Sequence, residues 1–112
     1  MTPRPASGLL VSALVRAIEA AGGGAMVLAK GDATSGGILL ALADRGRATA
    51  LVERTLGMDD IYRWSAAGPA DLADPLAFSD YLARRRQSDP DLWAVELDHP
   101  QARDIADRLI GA

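Results

Sequence analysis

Gly37-Ile38-Leu39-Leu40-Ala41-Leu42-Ala43 is followed by Asp44-Arg45-Gly46 and then by Arg47-Ala48-Thr49-Ala50-Leu51-Val52-Glu53-Arg54. An apolar run of this length suits a strand or a stretch of buried helix, and periodicity alone does not separate the two. The tight polar turn containing Gly46 favours two strands paired as a hairpin. Just upstream, Ala25–Lys30 is a second short apolar run, stopped by Gly31-Asp32-Ala33-Thr34-Ser35-Gly36. Neither Ala25–Lys30 nor Gly37–Ala43 alternates with polar residues, so both are expected to be buried on two faces.

Helices flank this block of strands. Leu10, Leu14, Ala17, Ile18 and Ala21 recur at helical spacing after Ser7-Gly8, and Gly22-Gly23-Gly24 ends that helix. Downstream, Ile61–Ser65 is a fourth strand at a sheet edge, and Ala66–Ala73 an irregular connection. Asp74-Pro75 starts a second helix with Phe78, Tyr81, Leu82 and Arg85 on one face, and Asp89-Pro90 stops it. Leu92–Leu97 alternates, with Trp93, Val95 and Leu97 facing one way and Glu96 the other. Asp98-His99-Pro100 precedes a last helix with Ala102, Ile105, Ala106, Leu109 and Ile110 on its apolar stripe.

The order is therefore α-β-β-β-β-α-β-α. Segregated rather than alternating elements predict an α+β fold, a mostly antiparallel sheet of about five strands with the helices on one face. The length of 112 residues suits one domain. Residues 1–7 are expected to be a flexible N-terminus.

Composition narrows the function by exclusion. A net charge of −3 gives no long-range attraction to polyphosphate, so nucleic acid is not an expected partner. The count of zero cysteines removes disulfides, thiol nucleophiles and thiolate metal sites. Leu9–Val15 is too short and too polar to span a bilayer, which leaves a cytoplasmic protein as the expectation. No cofactor motif is present.

Lys30-Gly31-Asp32-Ala33-Thr34-Ser35-Gly36-Gly37 gathers the chain's lysine, a carboxylate and two hydroxyls between two strands. It is not a phosphate loop, because Gly37-Ile38 stands where Lys and Ser or Thr are needed and a strand follows. The bland account is a glycine-punctuated turn in which Asp32 and Ser35 bond local backbone. The functional account is an anionic-ligand site of Lys30, Gly31, Asp32, Thr34, Ser35 and Gly36. Arg84-Arg85-Arg86 spreads over about 200° of helix. These arginines suit the negative end of a helix dipole, or an anion or partner surface to which Glu96 contributes. His99 has no partner set in the sequence for catalysis or metal binding and fits a helix cap. No catalytic constellation is recognisable. A non-catalytic interaction module, with a homodimer or another protein as its partner, stands beside a small enzyme or ligand sensor as the two readings.

Two segments together resemble a known family. Lys30-Gly31-Asp32-Ala33-x-Ser35-Gly36-x-Ile38-Leu39, with Arg86-Gln87-x-Asp89-Pro90-Asp91-Leu92-Trp93-x-Val95-Glu96 downstream, is similar to domain-of-unknown-function family 1491. The resemblance implies a small single-domain bacterial cytoplasmic protein and transfers no activity. It also directs attention to the Gly31–Gly36 turn and the Asp89–Glu96 segment.

Overall fold

In the computed structural model, residues 6–68 and 72–110 are described, and they form α1 (Ser7–Ala20), β1 (Gly24–Ala29), β2 (Ile38–Asp44), β3 (Arg47–Leu56), β4 (Tyr62–Ala66), α2 (Pro75–Ser88), β5 (Trp93–Asp98) and α3 (Ala102–Ile110). The order is the expected one. The strands make one mixed sheet in the order β1-β5-β2-β3-β4. β5 runs parallel to β2 and antiparallel to β1, and the other neighbouring pairs are antiparallel.

The β2–β3 hairpin turns on Arg45 (φ 53°) and Gly46 (φ 78°), the paired positive dihedrals that match the twist of a two-residue hairpin. Asp98, at the end of β5, accepts from the backbone N–H groups of both residues at 2.8 Å. A side chain from the last strand thus braces the turn of the first hairpin.

One face of the sheet carries α1 and α3. Leu10, Val11, Leu14 and Ile18 of α1 pack with Ile38, Leu40, Val52, Val95 and Leu97, and Ile105 and Ala106 of α3 join them. The Trp64 indole N–H donates to Ala106 O at 2.9 Å, tying β4 to α3. His99 lies in the turn that leads into α3, its Nδ1 accepting from Gln101 N–H at 2.9 Å.

Three expectations need correction. The helices do not share one face: Phe78, Tyr81 and Leu82 of α2 pack on Leu39, Leu51 and Leu92, across the sheet from α1 and α3. β1 is not buried on two faces, because β5 inserts between it and β2 and leaves it at an edge. Met26, Val27 and Leu28 are consequently 58%, 44% and 38% exposed. Ser7, which the expected flexible stretch 1–7 included, is instead fully buried in the first turn of α1. Residues 1–5 of that stretch, and Pro69–Asp71 of the expected irregular connection, lie outside the described residues.

Candidate functional site

The Lys30–Gly37 turn closes on Asp32. Its Oδ2 accepts from the N–H of Ser35 at 2.8 Å, the N–H of Thr34 at 3.0 Å and the Ser35 hydroxyl at 3.1 Å. Those donors favour the charged form and lower the Asp32 pKa, the Ser35 N–H contributing most. Gly36 N–H donates to Asp32 O at 3.3 Å, so the turn is held by its own backbone as well.

The same turn is docked from two directions. From β5, Trp93 Nε1 donates to Asp32 O at 2.7 Å, while Asp32 N–H donates to Asp91 O at 3.0 Å. Gly31 and Gly36 both press against the Asp91 carbonyl, where an added Cβ would overlap it. From α1, the Ser7 hydroxyl donates to Gly36 O at 2.5 Å and accepts from Arg54 Nη2 at 3.1 Å. Gly8 N–H donates to Ala33 O at 2.8 Å. The two segments that carry the family resemblance are therefore one structural unit. Ser7 and Arg54, which complete it from α1 and β3, carry no signal in the sequence beyond their polarity.

Lys30 is exposed at the edge of this unit, and its backbone carbonyl accepts from Arg86 Nη2 at 3.1 Å. Arg86 also donates to Pro90 O at 3.1 Å, bracing the Asp89–Asp91 bend. Arg85 points elsewhere: its two terminal nitrogens each donate to Glu53 at 2.7 Å, and Nη1 also donates to Tyr81 Oη at 2.8 Å. The Glu53 carboxylate raises the Arg85 pKa further above its already high value. Arg84 is exposed. The three neighbouring arginines thus serve three different surroundings and do not converge.

Glu96 lies apart from them, in the middle of β5 with Met26 across on β1 and Ala41 across on β2. Leu92 and Ala94 share its face but are buried, at 0% and 1% exposure, which leaves Glu96 as the half-exposed member. The exposed apolar residues of β1 were missed by sequence reasoning because a run of Ala, Met, Val and Leu looks the same at a sheet edge as at its centre. Among the described residues, no group of three or more His, Cys, Asp or Glu side chains is placed to hold a metal ion. Also among them, no helix is long and apolar enough to cross a membrane.

Solved structures share this fold over most of the chain. The chain is 29% identical to a family protein from Caulobacter crescentus CB15 solved by crystallography, with a TM-score of 0.74 over 89% of this chain and 92% of that one. An NMR structure of a family protein from the same organism gives 28% identity and a TM-score of 0.76, covering 93% and 94%. A protein from A. tumefaciens, solved in solution, is 28% identical with a TM-score of 0.70, covering 96% and 94%. No curated protein matches the chain. The profile described as protein of unknown function (DUF1491) matches residues 6–107, and the chain belongs to that family.

Proposed function

We propose that the chain is a non-catalytic protein-interaction module of a bacterial cytoplasm that self-associates through the outer edge of β1. The observation that carries this reading is the edge itself. Met26, Val27 and Leu28 are exposed on a strand whose neighbour in the sheet is β5 alone. Soluble proteins usually guard such an edge with charge, because its free N–H and C=O groups template another strand. The opposite edge, β4, has that guard: Arg63 on the strand pairs with Asp59 at 2.6 Å. From Ala20 to Ala29, by contrast, the sequence holds no charged residue.

A second copy fits this edge. Antiparallel pairing of β1 with itself is two-fold symmetric, so one set of residues satisfies both protomers, and no like charges meet across the axis. The bacterial sources of the family structures support the bacterial part of the proposal. A ligand or catalytic role for the Lys30–Gly37 turn has less support, since Asp32 and Ser35 are engaged with each other and with the turn's backbone.

Light scattering coupled to size-exclusion chromatography tests the reading. The wild type is expected to elute as a dimer, and Val27→Lys as a monomer with unchanged circular dichroism. A wild type that stays strictly monomeric at high concentration, or a Val27→Lys dimer, defeats it.

A further inference from the structure

α2 covers only part of its sheet face. It stands over Leu39, Leu51 and Leu92, and toward the β2–β3 turn the strands present small side chains such as Ala41 and Ala48. The result is a groove of about 400 Å³, walled by Leu51, Leu72, Pro75 and Phe78, with Glu96 as the carboxylate lining it. Its volume lies within the range of small-molecule sites.

Glu96 decides what the groove accepts. It sits in the middle of an interior strand between apolar or small neighbours, Met26 and Ala41, and makes no ion pair or hydrogen bond among the described residues. Water solvates it while the groove is open. A purely apolar occupant would strip that water and leave a desolvated carboxylate without a partner, which is costly. An anion placed against Glu96 would meet a like charge. An occupant that brings its own ammonium replaces the lost water with a charge-assisted hydrogen bond. The other charged residue of the lining, Arg47, is opposite Asp44, three residues along β2 from the Ala41–Glu96 row. No ion pair joins Arg47 to Glu96 among the described residues, so the Glu96 charge is not neutralised from within the groove.

We propose that this groove is a binding site for a small apolar molecule bearing one cationic amine, with Glu96 as the ammonium partner and Leu51, Leu72 and Phe78 as the apolar walls. The site lies on the α2 face and does not depend on self-association through β1.

The experiment is an amide-detected NMR titration of the labelled full chain with three probes of similar shape: 2-phenylethylamine, 2-phenylethanol and 3-phenylpropanoate. The amine is expected to shift the amides of Ala41, Leu51, Phe78 and Glu96 saturably. The alcohol should bind at least about tenfold more weakly, as loss of a charge-assisted bond implies, and the carboxylate not at all. Glu96→Gln, nearly isosteric, should bring the amine down to the affinity of the alcohol. Leu72→Lys, which places a competing ammonium on the wall, should remove amine binding by a separate route. Equal binding of the three probes, full amine affinity in either variant while its spectrum stays native, or no saturable shift with the amine would each overturn the proposal.

Discussion

Asp91 offers one backbone carbonyl to a turn more than fifty residues upstream, and two glycines make the approach possible. At Gly31 and Gly36 a methyl group would overlap that oxygen, and at Gly31 it would also crowd the Trp93 ring at 2.7 Å. Backbone cannot swing aside as a flexible side chain does, so Gly31→Ala and Gly36→Ala are each expected to cost about 1–3 kcal/mol or more in urea denaturation. Lys30→Ala, exposed and outside that contact, should stay within about 0.5 kcal/mol of wild type. If all three variants unfold at the same urea concentration, the docking of the turn on Asp91 is not what holds it. Acid acts on the same scale. Asp59 has its pKa lowered from 3.8 to about 2, chiefly by hydrogen bonds from Arg63 and then by the Ile61 N–H, and Asp32 is lowered by its turn donors. A carboxyl with a lowered folded-state pKa adds stability that is complete above its unfolded value and disappears as pH falls through the folded one. Stability is therefore expected to decline as pH drops from about 4 to about 2, in step with the Asp59 and Asp32 carboxyl titrations followed by NMR. Carboxyl resonances that titrate at ordinary values would contradict this.

α2 shows how weakly a helix can be attached and still be well defined. Asp74 caps it, accepting from Leu76 N–H at 2.9 Å, and Pro75 occupies its first turn. Yet none of its residues is buried, and its hold on the sheet is the packing of Phe78, Tyr81 and Leu82 plus the Arg85–Glu53 pair. That pair is a little over one quarter exposed on each side, 28% and 27%, so its weight falls between a surface pair and a buried one. Arg85→Ala is expected to cost about 1 kcal/mol and to speed hydrogen exchange throughout α2 while the sheet amides stay protected. Uniform acceleration, or none, would mean that α2 and the sheet open together. Much of this element was legible in advance: Asp74-Pro75 and Asp89-Pro90 mark both ends, and Phe78, Tyr81 and Leu82 mark the inner face. Which sheet face they meet was not, because the helical period orients a stripe without naming its partner. The same gap explains β1. Hydrophobicity marks Ala25–Ala29 as a strand, but whether one neighbour or two flank it depends on where β5, seventy residues later, inserts. The Arg84–Arg86 run was likewise visible as charge, whereas its dispersal over Glu53, the Lys30 carbonyl and solvent follows from what surrounds each position.

At the scale of the molecule, insertion of β5 sets both the site and the order of assembly. The strand nearest the C-terminus lies between β1 and β2, contributes Trp93 to the turn and Glu96 to the groove, and sends Asp98 to the β2–β3 hairpin. Without it β1 has no neighbour and the Asp32 turn has no floor. The β2–β3 hairpin is local and can form early, but Gly24 pairs with Asp98 across most of the chain, and such non-local closure has to precede the contacts that reward it. Folding is therefore expected on the order of milliseconds to seconds rather than microseconds in stopped-flow Trp fluorescence. A chain ending at Ser88 keeps α1, β1–β4 and α2 but loses the interior strand and α3. It should give a collapsed amide spectrum, and adding a peptide of residues 89–112 in trans should restore the dispersed one. If the truncated chain is dispersed on its own, the sheet can close with β1 directly on β2, and the family's Asp89–Glu96 segment would then have to be explained by function instead of by its place at the centre of the fold.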